Sequence, residues 1–148
     1  MRQRRNFLQI VARALALGLM TPINVFAAIW NKAAFEALKL DEASNQLNVE
    51  VEIVSQEIDI IAPDLAENGA IVQVEVTSRI ANTESMAILV ENNPTPLIAH
   101  FTFTHGAEPY IVTRIKMAET SDIKVLVKVG DQYFSNTKNV TVLENGCG

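Results

Sequence analysis

Cysteine and histidine are scarce in this chain of 148 residues, which has one of the first and two of the second. A single cysteine excludes an internal disulfide. Two histidines, His100 and His105, with no third donor at ligand spacing, do not make a site of three or four clustered metal ligands. Each reads as an ordinary surface or packing histidine. Glycine-rich phosphate loops and a Gly-x-Ser-x-Gly elbow are missing as well, so the chain lacks the common marks of an enzyme with its own active site. A membrane crossing takes about 20 apolar residues. The longest apolar run, Ile10 to Met20, is shorter and carries Arg13 inside it, so a permanent membrane anchor is not expected.

What the first residues do have is the pattern of an export signal. Arg2, Arg4 and Arg5 precede the apolar run, and Val25-Phe26-Ala27 offers small residues for cleavage. The sequence Arg4-Arg5-Asn6-Phe7-Leu8 resembles a twin-arginine signal, although Gln3 stands where a serine or threonine is usual. Residues 1–27 are therefore expected to be a twin-arginine-type signal peptide that delivers the mature chain to the periplasm. Its removal takes four arginines and no acid with it, moving the net charge from −5 to −9. No lysine or arginine stripe remains to follow a phosphate backbone, which argues against nucleic-acid binding.

At 49% apolar and 20% charged residues, the rest has the composition of an ordinary folded domain, and its length suits one core. Trp30 to Leu40 is rich in helix formers, with Trp30, Phe35 and Leu38 on one side, and predicts a short amphipathic helix. Leu47, Val49, Val51 and Ile53 alternate with polar residues as a half-buried strand or strand-like lead-in would. Short β-rich runs follow at 58–62, 70–79, 85–91, 97–104, 110–116, 122–129, 132–136 and 138–143, with Pro63, Asn68-Gly69, Asn92-Asn93-Pro94 and Gly130-Asp131 among the joints. The expected fold is all-β, an immunoglobulin-like antiparallel sandwich of about seven strands with a short N-terminal helix, over residues 28–143. Leu97, Ala99, Phe101 and Phe103 are expected on one core-facing side.

Paired acids such as Glu50 with Glu52, or Asp64 with Glu67, read as solvated strand faces, because nothing buries two of them together. Cys147 is different. An odd cysteine in an exported protein points to an intermolecular bond or a reactive thiol. Gly146 and Gly148 leave its thiol open on both sides. Glu144, Asn145, Gly146, Cys147 and Gly148 are expected to form a flexible arm that spans about 17 Å when extended. An unperturbed thiol titrates near about 8.5, and the negative charge of Glu144 and the chain terminus favours the neutral form. Such a thiol is suited to carrying a group and needs a partner to activate it.

The sequence also resembles a known family. Ala62-Pro63-Asp64-Leu65-Ala66-Glu67-Asn68-Gly69-Ala70, Ile88-Leu89-Val90-Glu91-Asn92-Asn93-Pro94, Phe101-Thr102-Phe103 and Thr113 to Asp122 are similar to segments of SoxY, the sulfur carrier of the periplasmic thiosulfate-oxidising Sox system. Members usually end Gly-Gly-Cys-Gly-Gly, where this chain has Asn145-Gly146-Cys147-Gly148. The resemblance implies a covalent carrier with no catalytic residues, no resident metal and no cofactor, whose sulfur intermediates ride on Cys147. It implies a heterodimer with SoxZ. It further implies service by a haem-containing thiosulfate-conjugating enzyme, a sulfate-releasing hydrolase and, where present, a sulfane dehydrogenase. Two other readings stay open: a structural periplasmic sandwich whose cysteine makes an intermolecular disulfide, and a thiol enzyme. The second would need positive charge near Cys147, and the sequence places negative charge there.

Overall fold

The computed structural model describes residues 31–104 and 106–144. The export segment with Arg4, Arg5, Phe7 and Leu8, together with Trp30, His105 and Asn145 to Gly148, lies outside them. Among the described residues there are two short helices, α1 (Lys32–Glu36) and α2 (Leu40–Gln46), and nine strands. The strands are β1 (Glu52–Val54), β2 (Ile58–Ile61), β3 (Leu65–Asn68), β4 (Val72–Ser78), β5 (Ser85–Val90), β6 (Leu97–Thr102), β7 (Tyr110–Ile115), β8 (Ser121–Val129) and β9 (Gln132–Glu144).

The strands build a β-sandwich. The larger sheet runs β1-β9-β8-β5-β6, with β3 also on β9, and the smaller runs β2-β4-β7. Alternation decides what each strand buries. In β4, Val72, Val74 and Val76 point inward while Gln73, Glu75 and Thr77 lie on the other face. These valines meet Met86, Ile88 and Val90 of β5 and Ile123, Val125 and Val127 of β8 in the core between the sheets. At about 1.5–3 kcal/mol for each fully buried aliphatic side chain, this layer is the main source of stability. The chain is thus an all-β sandwich, as the run of short β segments indicates. The antiparallel expectation needs amending at one edge, where β1 and β3 both pair parallel with β9.

β5 is buried at all six positions, because the larger sheet has a second layer on its outer face. Ala34, Ala37, Ala43, Leu47 and Val49, from the helices and the turn after them, pack on Ala87, Leu89, Leu97 and Leu126. Tyr133 ties this layer down by donating from its hydroxyl to the Leu47 carbonyl at 2.6 Å.

The single helix expected over Trp30 to Leu40 is instead α1, which ends at Glu36 and leaves Leu38 exposed. Asn31 caps α1 by accepting from the Ala34 amide at 3.1 Å and joins the helices by donating to the Gln46 carbonyl at 2.7 Å. The expected strand at 47–53 begins as the end of α2. Asn48 takes φ 62°. The amide of Val49 reaches the Ser44 carbonyl and that of Asn48 the Asn45 carbonyl, both at 3.0 Å, which is the double closure of a left-handed helix cap. Leu47 and Val49 are buried beneath the helices, while Val51 and Ile53 are exposed.

Two further differences bear on the site. The runs 132–136 and 138–143 are one continuous strand, β9, because β8 pairs along it from Ser121↔Val140 to Val129↔Gln132. Leu97 does not share a face with Ala99 and Phe101. β5 pairs Ile88↔Ala99 and then Leu89↔Leu97, so Ile98 is an extra residue that sends Leu97 to the helix layer and its neighbours to the inter-sheet core.

Candidate functional site

β9 ends at Glu144, three residues before Cys147 in the sequence, so its anchorage is the part of the site that the described residues show. β8 leaves β9 after Ser121↔Val140. Past that point β3 takes over on the opposite edge, pairing Leu65↔Thr141, Ala66↔Val142 and Asn68↔Glu144. Asp64 accepts from the Thr141 amide at 2.9 Å, and Glu144 accepts from the Gly69 amide at 2.9 Å. On the edge that β8 vacates, the Thr120 hydroxyl accepts from the Val142 amide at 2.9 Å and lies 3.5 Å from the Val142 carbonyl. β9 is therefore held on both sides as far as Val142.

Residues from several segments tie this end together. The Gly69 carbonyl accepts from the Met117 amide at 2.8 Å. Asn93, which is buried, donates to the Lys116 carbonyl and accepts from the Ala118 amide, each at 2.8 Å. Asn92 donates to the Thr120 carbonyl at 2.9 Å, and its amide reaches the Ser121 hydroxyl at 3.0 Å. The side chain of Asn68 accepts from the Ala70 amide at 2.7 Å. The segments 63–70, 92–94 and 113–122, far apart in sequence, thus meet around the root of the arm. Backbone groups that would otherwise be orphaned where sheets end are satisfied here by Asn and Thr side chains.

Glu144, the first residue of the expected arm, is instead the last residue of β9. Cys147 is three residues beyond it, a span of about 10 Å at full extension. Asn145, Gly146, Cys147 and Gly148 lie outside the described residues. In the sequence Asn68 and Asn93 read as turn residues and Thr120 falls between two expected strands, and all three lie in the segments similar to SoxY. Nothing in their local pattern marks them as braces of a strand that is remote in sequence.

The surroundings of the arm root are acidic. Glu67, Glu119 and Glu144 make no ion pair among the described residues, nor does the base Lys116, whereas Lys138 is engaged by Asp64 and Lys124 by Glu52 at 2.6 Å. The Lys138 ammonium, hydrogen-bonded to Asp64, holds its carboxyl below the ordinary value of 3.8. The other candidates from the sequence are dispersed. His100 sits on β6 opposite Ala87, and partial burial of its ring lowers its pKa. Glu50 is exposed while Glu52 is used by Lys124, so the two do not form an acid pair. No group of three or more His, Cys, Asp or Glu among the described residues could hold a metal ion. No described helix is long and apolar enough to cross a membrane.

The family model described as sulfur oxidation protein SoxY matches residues 42–147, a span that takes in the braced root and Cys147. The solved structure of the sulfur carrier protein SoxY from Chlorobium limicola f thiosulfatophilum superposes with a TM-score of 0.64 at 31% identity, covering 70% of this chain and 96% of that one. A superoxide reductase (neelaredoxin) from Ignicoccus hospitalis shares the fold alone, with a TM-score of 0.51 at 16% identity over 59% of this chain and 80% of that one. Among curated proteins, none matches this chain.

Proposed function

The chain belongs to the SoxY family of sulfur oxidation proteins, and from that membership we propose that it carries thiosulfate-derived sulfur covalently on Cys147 in the periplasm. The observation that carries this reading is the conjunction at one end of the sandwich. The sole cysteine lies three residues past a strand end that is held by β3 on one edge and by Thr120 on the other. A rigid root with a short tether delivers a thiol to a partner's cleft at small entropic cost.

In the proposed cycle a haem-containing enzyme joins the sulfane sulfur of thiosulfate to Sγ of Cys147. The electron pair released by forming the sulfur–sulfur bond goes to the haem centre, and the thiol proton goes to water. A hydrolase then adds water across the terminal sulfur–sulfonate bond, releasing sulfate and leaving a persulfide on the cysteine. A sulfane dehydrogenase, where the host has one, oxidises the remaining sulfur. The carrier contributes a nucleophile and its placement. Residues 1–27 act as the twin-arginine signal in this reading, residues 28–143 as the carrier domain, and the residues after β9 as the arm.

SoxZ is the proposed partner subunit. The outer face of the larger sheet is partly covered by α1 and α2, whereas the outer face of the smaller one carries Ile61, Tyr110 and Val112 exposed around Glu75. That bare face is the apolar surface the pairing would draw on.

The test is intact-mass and C-terminal peptide measurement on protein isolated without reductant from cells oxidising thiosulfate. Adducts on Cys147 are expected, and Cys147→Ser is expected to abolish thiosulfate oxidation while leaving the folded chain in the periplasm. A bare thiol in cells whose Sox enzymes are stalled in mid-cycle would refute the reading.

A further inference from the structure

We infer that the outer face of the β3–β9 pair, made by Leu65, Thr141 and Leu143 and bordered by Glu67, Asp122 and Glu144, is the seat for the sulfate-releasing hydrolase that acts on Cys147. The fitting partner presents an apolar lip with cationic groups around its active-site mouth. This rests on the carrier reading and adds to it the surface that engages the processing enzyme.

The reach of the arm forces the contact. Cys147 lies about 10 Å beyond Glu144 at most, and Glu144 is itself paired with Asn68. A cleft deep enough to enclose the cysteine therefore brings its rim against the last residues of β9 and the strand beside it. Register settles which side chains the rim meets. Val142 and Ala66 point into the core, so Thr141, Leu143 and Leu65 stand together on the outer face. Leu65 is 51% exposed and Leu143 63%. Scattered exposed aliphatics are normal. These two are neighbours on paired strands at the point where the arm departs.

The helix layer stops short of this part of the sheet. Its described members pack on Ala87, Leu89, Leu97 and Leu126. A groove is lined by Leu40 of α2 and by Glu52, Asp122, Lys124 and Thr137 of the larger sheet. Lys124 is paired with Glu52, Lys128 with Glu84 and Lys138 with Asp64, so among the described residues of β3, β8 and β9 the charges without an ion pair beside the patch are those of Glu67, Asp122 and Glu144. A cationic rim complements them and accelerates encounter, and salt weakens the effect.

The experiment uses the full mature chain loaded with thiosulfate on Cys147 and the purified sulfate-releasing hydrolase of the same cells, with sulfate release followed against carrier concentration. Leu65→Ser with Leu143→Ser is expected to raise KM about tenfold with kcat nearly unchanged, as loss of a small apolar anchor does. Glu67→Lys is expected to lower kcat/KM at low salt and to converge with the parent at high salt. Inserting Gly-Ser-Gly-Ser after Glu144 lets the thiol reach its cleft without the body touching the rim, and it is expected to make the Leu65/Leu143 double variant and its parent equal. Unchanged KM in the double variant, with its circular dichroism and melting intact, overturns the docking face. Failure of the parent to accept any thiosulfate on Cys147 overturns the carrier reading instead, and the mass of the loaded chain tells the two apart.

Discussion

Thr120 bonds to the backbone of Val142 in place of a neighbouring strand, its hydroxyl accepting the Val142 amide at 2.9 Å and lying 3.5 Å from the Val142 carbonyl. β8 has already parted from β9 at Val140, so without this side chain the edge would be open to water one turn of the pleat before the arm. Thr120→Val keeps the shape and removes the hydroxyl. The expected loss is about 1 kcal/mol, with faster hydrogen exchange at Val142 and no change at Val125 deep in β8. Thr120→Ser should restore the slow exchange. Equal exchange in Thr120→Val and the parent would show that β3 alone secures the root.

Asn93 does related work from within. Its amide group donates to Lys116 and accepts from Ala118, so it closes the loop that positions Thr120. Asn93→Ala removes both bonds and leaves two part-buried backbone groups without their partner. A loss of about 2–4 kcal/mol is expected, seen as a lower urea midpoint at unchanged m. A loss within 0.5 kcal/mol, roughly the scale of an ordinary surface substitution, would mean that water replaces the amide without cost.

The Asp64–Lys138 pair gives the root a pH dependence of defined sign. Its hydrogen bond and charge attraction to Lys138 lower the Asp64 pKa in the folded chain. A depressed carboxylate contributes stability that is present above its ordinary value of 3.8 and is lost as pH falls through the lowered one. Asp64→Asn should therefore cost stability at neutral pH and converge with the parent in strong acid, when both are followed by melting temperature. Because Asp64 is exposed, high salt should shrink the difference.

Much of the fold was legible because most strands carry their own signal. β4, β7 and β8 alternate, and β5 is an apolar run bounded by turns. The segments whose structure the local pattern does not announce depend on partners remote in sequence. β3 is four residues of mixed polarity, Leu65-Ala66-Glu67-Asn68, and is a strand because β9 lies beside it. Asn136 and Thr137 look like a break in β9, yet Asn136 donates to the Ile58 carbonyl at 2.7 Å and β8 spans the gap. Asn48 was the available clue to α2, since asparagine tolerates the left-handed turn that ends it. Cys147 stands out in the sequence by its rarity, whereas Asn68, Asn93 and Thr120 carry no local mark of the strand end that they hold.

The bulge at Ile98 supplies the last prediction. The extra residue lets Leu97 serve the helix layer while Ala99 and Phe101 serve the core between the sheets. Regular alternation would put Leu97 on the same face as Ala99 and leave a hole beneath the helices. Deleting Ile98 therefore shifts side chains to the wrong face on one side of the bulge. The expected loss is about 2–5 kcal/mol, the range for emptying an aliphatic core site. Ile98→Ala removes more of that side chain's packing than a register change requires but keeps the residue count, and it should cost less than the deletion. Urea midpoints of the two variants decide the matter. If the deletion proves no worse than Ile98→Ala, β6 can re-register at little cost, and the bulge is not what keeps the two hydrophobic layers in step.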